Sequence, residues 1–380
     1  MPKSVHREES AIKELIAGNL THYRKGLRLS QDELAVQAGV TRQSIYNYEN
    51  AKTLPDSRTL SALARALGIT LDDLLRQGGV VLPNFRFRAH TSFDKKPQFA
   101  AQVLRHLEDY TALEQAVGMP PYTPESTPCH QVEGNEKRIM EIATQFRHRL
   151  GLGDAPIHNM FDAVDEIGLK VLRLDIPIPD FFGLSACSLE QGAFVLVNSH
   201  NISIERQLFT LAHEIGHLIF HRGEYQDTLM EEGSKEEEKA REDVANQFAS
   251  QLLVSQEALD RALNVLNNLI DLKAYFRVSY TIMLKRLDQM GKVKYGDAIQ
   301  KLRAEYKRRT GQSLTKEIEL EPVLPAADFP VNQRLTKLVW KALSLSKVSE
   351  LKAAELLDLT VEDLRQARRE AKMYAIDAIL

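Results

Sequence analysis

Two histidines and a glutamate stand at a spacing that suits metal chemistry: His213, Glu214 and His217, inside an otherwise apolar run. On a helix, residues four apart lie one turn apart on the same face, so both imidazoles can reach one metal ion. A carboxylate beside the first histidine can hold a metal-bound water and take its proton. Gly216 costs about 1 kcal/mol against alanine in a helix interior, which indicates close approach of another element. The alternative is a buried helix with two satisfied core histidines.

A third protein ligand separates these alternatives, because catalytic zinc sites usually have three protein ligands and one position left for water. The metzincin class would place a histidine ten residues after the first, and that position holds Gly223. His221 lies a full turn further along the same helix, where it cannot easily reach the same ion. Glu242 leads the apolar face of a second predicted helix at 236–253, whereas Glu238 lies in its charged part. Glu242 is therefore the preferred third ligand, with Glu238 as the fallback.

Residues 208–221, LFTLAHEIGHLIFH, and the later stretch 242–249, EDVANQFA, together resemble the ImmA/IrrE metallopeptidase family. The resemblance implies one catalytic base and one metal-binding set: Glu214 as the base, and His213, His217 and Glu242 as the ligands. It also implies zinc, or another divalent transition metal, as the cofactor of a metalloendopeptidase. Asn246 is a candidate to support a metal-binding side chain from behind.

A second pattern occurs near the N-terminus, where residues 11–77 predict five short helices with tight connections. Ser30 opens the second helix with a capping box, and Thr41 caps the third after a glycine-containing turn. Two short helices joined in this way form a helix-turn-helix. In the third helix Ile45 and Tyr48 face inward by their spacing. The outward side chains can all hydrogen-bond to base edges, and they are Arg42, Gln43, Ser44 and Asn47.

The stretch 30–75 resembles the XRE/Cro-type helix-turn-helix family, in which the second helix of the motif enters the major groove. The resemblance implies base reading by the four outward side chains of the third helix. It implies phosphate contacts near Gln31, Asn50 and Lys52. It also suggests a structural ion pair between Arg24 and Glu49. Ala51 departs from the family, which commonly has glycine there, and a positive φ would strain an alanine.

The composition is that of an ordinary globular protein, with 43% hydrophobic and 27% charged residues among 380. No stretch approaches the roughly eighteen consecutive apolar residues of a membrane span, and the first ten residues lack a signal-peptide core. Two cysteines, Cys129 and Cys187, are too few for a disulfide framework or a cysteine-rich zinc site. We therefore expect a cytoplasmic protein without membrane contact. Its net charge of −3 requires that any DNA binding be local.

The middle of the chain predicts a helix at 98–117, followed by a proline-rich connector at 118–128. Cys129 and His130 come next, where we expect a surface loop rather than a metal site. The predicted extended segments are 80–89, 170–174, 182–188 and 193–198, with a hairpin turn at 190–192. Helices, a short sheet and then a metal helix form the zincin arrangement, in which an edge strand lines the cleft and a substrate can add to it. We nominate 193–197 as that edge strand.

The chain beyond residue 253 predicts further helices, a proline- and acid-rich linker at 318–330 and a terminal helical unit. Part of this unit again resembles a helix-turn-helix, but it is acidic, which favours contact with protein over DNA. The predicted fold is multidomain and mainly α: an N-terminal all-α domain, an α+β zincin-like domain with a small β-sheet, and a helical C-terminal unit. The four expected regions are a helix-turn-helix domain, a linker with a helix, a metallopeptidase domain and the terminal unit, at 1–78, 79–135, 136–317 and 331–380.

Two functions fit these patterns. The first is a DNA-binding transcriptional regulator with a zinc-dependent peptidase-like domain that cleaves itself or a repressor-type protein. The alternative is an antitoxin-like or ligand-sensing repressor whose metal domain binds without turnover, as part of a toxin–antitoxin system. The presence of Glu214 favours the hydrolytic function. Expected partners are double-stranded operator DNA and a protein substrate or toxin.

We also expect a homodimer. Residues 1–78 carry 11 lysines and arginines against 9 acidic residues, so a single domain has little general attraction for DNA. Helix-turn-helix dimers reach sufficient affinity by binding two half-sites about one helical turn apart. The segments that could form the dimer interface are the helix at 98–117 and the terminal unit.

Overall fold

The structure is a computed structural model of the chain. It describes residues 2–26, 29–69, 71–75, 86–89, 97–188, 190–225, 235–315 and 318–373. Mainly helical architecture with one small sheet confirms the fold class expected from the sequence. No helix in these ranges is long and apolar enough to cross a membrane.

The N-terminal helices form the bundle that the capping pattern predicts. Ser30 and Glu33 complete the capping box, and the hydroxyl of Thr41 accepts from the backbone N–H of Ser44. Ile45 is fully buried and Tyr48 is half-buried, as expected. The first helix begins at Pro2, earlier than the predicted residue 11. The elements are α1 Pro2–Gly26, α2 Gln31–Ala38, α3 Arg42–Glu49, α4 Ser57–Leu67 and α5 Leu71–Leu75.

One strand and three helices lie between this bundle and the rest of the sheet in the chain. The predicted helix at 98–117 is present, and its buried residues pack against α1, α4 and a helix of the C-terminal unit. The proline-rich connector is irregular, as expected. The loop predicted at Cys129 and His130 is present and His130 is exposed, but Cys129 is buried in the core, so the prediction of a surface position was wrong for Cys129. The elements are β1 Arg86–Ala89, α6 Pro97–Ala116, α7 Glu136–Arg149 and α8 Met160–Glu166.

The sheet has four strands in the order β1-β3-β4-β2, with β2 Lys170–Leu174, β3 Gly183–Ser188 and β4 Gly192–Asn198. The hairpin prediction is confirmed, since β3 pairs antiparallel with β4. The nomination of 193–197 as the edge strand was wrong. β4 also pairs in parallel with β2, which places it inside the sheet, and its completely buried residues agree with that position.

Two long helices follow, α9 Ile204–Phe220 and α10 Lys235–Leu253: α9 packs on β3 and β4, and α10 packs on α9. Gly216 explains how they approach so closely. A Cβ at this position would lie 3.2 Å from the Cα of Ala245 and 3.2 Å from a ring carbon of Phe248. A side chain there would have to push α10 away from α9. The expectation that this glycine permits close approach is therefore confirmed.

Among the remaining helices, the first three contribute buried residues to the core that contains α10, and the terminal unit belongs to a separate core. Lys273 is buried and donates to the carbonyls of Leu320 and Pro322, which fixes the predicted linker against the helix Leu269–Phe276. The terminal unit packs on α6 through buried residues of its first helix. The elements are α11 Gln256–Leu263, α12 Leu269–Phe276, α13 Tyr280–Gln289, α14 Tyr295–Thr310, α15 Gln333–Ser344, α16 Glu350–Leu356 and α17 Val361–Met373.

Candidate metal centre and nucleic-acid interface

Three side chains from α9 and α10 converge on one point. The Nε2 atoms of His213 and His217 lie 3.0 Å apart. The two carboxylate oxygens of Glu242 lie 3.2 Å from these nitrogens, one oxygen to each imidazole. Neighbouring ligands of a tetrahedral zinc ion with bonds of about 2.0–2.1 Å are about 3.3 Å apart. The donor types and their spacing therefore fit a zinc ion without movement of the backbone.

The structure also separates the two glutamates considered for the third position. Glu238 lies one turn before Glu242 and pairs with Arg241, at 3.9 Å. Among the described residues the only group suited to a metal ion is His213, His217 and Glu242. The apolar face of α10 explains this choice, because Val244, Ala245 and Phe248 are buried against α9 and turn Glu242 toward the histidines.

Each candidate ligand histidine is held by a partner on its second ring nitrogen. The Nδ1 atom of His213 lies 3.1 Å from Oδ1 of Asn246, and Nδ1 of His217 lies 2.9 Å from Nδ1 of His221. If Nε2 binds a metal, Nδ1 carries the proton and donates. His221 then accepts on Nδ1 and donates from Nε2 to the carbonyl of Cys129, 2.8 Å away. This chain of neutral imidazoles satisfies every ring nitrogen of His217 and His221.

We expect His221→Phe and Asn246→Ala each to weaken zinc binding by about ten- to a hundredfold, because each removes the group that orients a ligand imidazole. A chelator competition titration measures the affinity. His148→Ala is the matched control, since it removes an exposed imidazole of α7 that does not belong to the convergent group. Unchanged affinity in both variants would refute the orienting role.

Glu214 lies on the sheet side of α9, and its carboxylate is oriented from β3. The Ser185 hydroxyl donates to Oε2 of Glu214 at 2.7 Å, and the Tyr225 hydroxyl lies 2.7 Å from the same serine oxygen. Since the single serine proton goes to the carboxylate, Tyr225 donates to Ser185. Gly183 permits this contact, because a Cβ there would lie 2.6 Å from Thr210 of α9. β3 therefore positions the candidate base.

A cavity of about 500 Å³ is separated from the candidate metal ligands by Phe209. Phe209 belongs to its wall and also lies 6.0 Å, between ring centroids, from His213. The wall combines aromatic and basic side chains, with the Arg206 guanidinium 3.9 Å above the Phe182 ring. Burial lowers the pKa of Lys285, which also lines the cavity, and nearby Asp243 opposes this shift. Two acidic side chains, Asp180 and Glu319, line the cavity as well, so its wall is mixed in charge and suits an apolar group.

The outward face of α3 carries the side chains predicted to read bases. Arg42 is 67% exposed and lies 3.6 Å from an equally exposed Asp32, a pair too weak to hold its guanidinium away from DNA. Gln43 is exposed and donates to Asn47, at 3.1 Å. Ser44 is half-buried and shares a 2.9 Å hydrogen bond with the capping hydroxyl of Thr41.

The predicted phosphate contacts lie at both ends of the motif. Gln31 donates to Glu49 at 2.7 Å, and Asn50 donates to the carbonyl of Tyr46 at 2.7 Å. Lys52 is exposed and lies over the Tyr46 ring, 4.6 Å from its centroid. The suggested ion pair is present: the Arg24 guanidinium donates twice to the Glu49 carboxylate, at 2.5 and 2.9 Å. Ala51, which stands where the family commonly has glycine, has a positive φ of 56°, the backbone conformation that strains an alanine.

Sequence reasoning missed Ser185, Tyr225 and the support that His221 gives. The regular spacing of His213, His217 and His221 carried a signal, because a third histidine one further turn along can contact the second without reaching the metal. Nothing in the sequence pointed to Ser185, since its meeting with Glu214 depends on how β3 lies across α9.

Two family models match the chain. Residues 164–288 match the model described as an IrrE N-terminal-like domain, and residues 20–74 match the model described as a helix-turn-helix. The first match contains α9 and α10 with all three candidate metal ligands, and the second contains α2 and α3. Together they confirm the combination that the sequence motifs indicated.

Proposed function

We propose that this chain, which joins a helix-turn-helix domain to an IrrE-type domain, is a transcriptional regulator with a zinc-dependent peptidase that cleaves itself or a repressor-type protein. The two family matches support the general description, a DNA-binding regulator with an ImmA/IrrE-type domain. One observation carries the peptidase: the convergence of His213, His217 and Glu242 beside a general-base candidate. The domain limits proposed are 1–78, 79–135, 136–317 and 331–380, in a cytoplasmic protein.

In this proposal His213, His217 and Glu242 hold the metal, and Glu214 handles the protons. Zinc, when bound, supplies a water whose pKa is lowered to about 7. Glu214 takes the proton and returns it to the leaving amine of the peptide. Ser185 keeps the carboxylate oriented by donating to Oε2, and Tyr225 fixes the serine in turn. Asn246 and His221 hold the ligand imidazoles in the tautomer that leaves Nε2 free to bind.

The deciding experiment compares the purified chain with Glu214→Gln. Both are incubated with zinc, alone and with candidate repressors, and cleavage is followed on a gel. The glutamine should retain zinc and lose cleavage, because an amide cannot take the proton. Equal cleavage by both proteins would overturn the assignment of Glu214, and absence of cleavage by the wild type with any repressor would favour a binding function.

The cavity behind Phe209 supports a second candidate, an antitoxin-like or ligand-sensing repressor without turnover. Its wall could bind a small effector with an apolar group, or a side chain of a toxin, close to Phe209 and Lys285. In that case the metal would stabilise the fold, and DNA binding would be the output. If the domain only binds a ligand, Glu214→Gln should leave operator regulation intact. If regulation depends on peptidase activity, the same variant should lose it.

The outward face of α3 leads to a prediction that distinguishes base contacts from phosphate contacts. Arg42 can make two parallel bonds to a guanine, worth about 1–3 kcal/mol of discrimination, so Arg42→Ala should relax specificity at one base position. Lys52→Ala should weaken binding to all sequences alike and reduce the salt slope by about one. Binding titrations on operator and scrambled duplexes at several salt concentrations measure both. If both variants weaken all sequences equally, Arg42 contacts phosphate and the proposed register is wrong.

A homodimer on a near-palindromic operator remains our expectation. The inward apolar faces of α6 and α15 are already buried within one chain, so pairing would use what remains exposed in the terminal unit. Leu351 and Leu345 are exposed there, at 71% and 51%. Light scattering at micromolar concentration should give the dimer mass. A monomer mass, both free and on operator DNA, would contradict the proposal.

A further inference from the structure

The outer strand of the sheet comes from the segment that joins the two matched regions. β1 lies between α5 and α6 in the chain and pairs antiparallel with β3 over four residues. Its register places Arg88 opposite Ser185 and Arg86 opposite Cys187. The strand therefore belongs to the inter-domain segment by sequence and to the sheet of the metal domain by pairing.

The strand that β1 covers is the one that touches the candidate base. Ser185 of β3 donates to Glu214, and Gly183 of the same strand comes within contact distance of α9. Neighbouring strands lie about 4.8 Å apart. β1 is therefore one strand spacing from the residue that orients Glu214, on the edge where an extended peptide could form main-chain hydrogen bonds beside the metal centre.

The opposite edge of the sheet is closed by a side chain. The amide of Asn332 accepts from the backbone N–H of Arg173 in β2 at 2.7 Å and donates to its carbonyl at 3.2 Å. It thus satisfies the outward donor and acceptor in the middle of β2. Within the described part of the chain, the outer edge of β3 is the edge at which a peptide can add, and β1 is its occupant.

We propose that the outer edge of β3 is the substrate-binding edge and that β1 is its intramolecular competitor. This inference rests on the proposed peptidase function, because that function is what makes a bound peptide a substrate. An extended polypeptide segment is the ligand class, because strand addition gains affinity from main-chain hydrogen bonds. A protein substrate binds only after β1 leaves. A pairing of only four residues can open locally without unfolding the sheet, so the site is closed at rest and still accessible.

The test uses a fluorescein-labelled peptide with the sequence of residues 84–91, NFRFRAHT, and measures its binding to the full chain by fluorescence anisotropy. Successive N–H groups of a strand point in opposite directions, so Phe87→Pro/Arg88→Pro removes a donor toward β3 in either register. Phe87→Ala/Arg88→Ala is the matched control, because it changes the same side chains and keeps both donors.

We expect the proline variant to bind the peptide at least about tenfold more tightly than wild type, and the alanine variant to stay within about threefold of wild type. Equal binding by wild type and the proline variant, or no binding by either, would overturn the proposal. The measurement needs no cleavage, so it is independent of the peptidase assignment. Zinc content, measured on the same samples, reports separately on the metal centre.

A second variant tests the position of β1 directly. Directly paired residues of antiparallel strands have Cα atoms about 4.5–5.5 Å apart, within the range of a disulfide. Under oxidised glutathione Arg86→Cys should form an intrachain disulfide with Cys187, whereas Ala89→Cys, which lies opposite Leu184, should not. Introduced into the proline variant, Arg86→Cys should abolish peptide binding when oxidised and restore it when reduced. Retention of all free thiols would contradict the register.

Discussion

Replacing His213 and His217 together by alanine is expected to reduce bound zinc from about one equivalent per chain to none. The two imidazoles supply two of the three candidate protein ligands, which leaves only the carboxylate of Glu242. Structural and catalytic zinc sites need three or four ligands at fixed spacing, so the loss of two removes the site. Metal analysis after dialysis against a mild chelator measures the stoichiometry.

The control for this experiment removes two other histidines, His130 and His200, neither of which belongs to the convergent group. That variant should retain about one zinc per chain. Each single replacement of His213, His217 or Glu242 should lower the zinc content, while Glu214→Gln should not, because Glu214 is assigned to proton transfer. Stoichiometric zinc in the double variant would refute the metal assignment as a whole.

The grouping of His213, His217 and Glu242 could be predicted from the sequence because most of its geometry is local. Two ligands four residues apart on one helix need no knowledge of the fold. Glu242 was separated from Glu238 by the apolar period of the next helix, and the structure agrees with that choice. Gly216 was likewise identified by its cost in a helix, and Ala245 accounts for it.

The sheet could not be predicted to the same depth, because strand order is a property of long-range pairing. The sequence of β4, GAFVLVN, is apolar at every position up to Asn198, and this run alone does not state which strands lie on either side of it. Only the parallel pairing of Lys170 with Phe194, and its continuation along both strands, places β4 inside. For the same reason, sequence patterns could predict neither the pairing of β1 with β3 nor the contact of Ser185 with Glu214, which depends on how β3 lies across α9.

The N-terminal motif shows the opposite case, in which local rules suffice. The capping hydroxyls of Ser30 and Thr41 fix where α2 and α3 begin, and the buried Ile45 fixes which face of α3 is free. The Arg24–Glu49 pair followed from the family resemblance. Which outward side chains contact bases depends on how the domain docks on DNA, so the roles of Arg42 and Lys52 remain predictions.

A buried charge cluster joins the metal domain to the terminal unit. Glu114 of α6 accepts from Lys170 of β2 at 2.8 Å and lies 2.6 Å from the guanidinium of Arg334 in α15. All three side chains are buried. Burial lowers the pKa of Lys170, and the carboxylate of Glu114 opposes this shift. One carboxylate therefore compensates two buried cations from different parts of the chain.

We expect Glu114→Ala to lower the free energy of unfolding by about 3–5 kcal/mol, because it leaves both buried cations without their counter-charge. The chain has one tryptophan, Trp340, in the same helix as Arg334, so its fluorescence during urea unfolding follows the terminal unit. Glu141→Ala is the matched control. It breaks the exposed Lys137–Glu141 pair of α7, 3.8 Å apart, and should cost less than about 0.5 kcal/mol. A cost for Glu114→Ala as small as that of the control would show that the cluster does not hold the terminal unit in place.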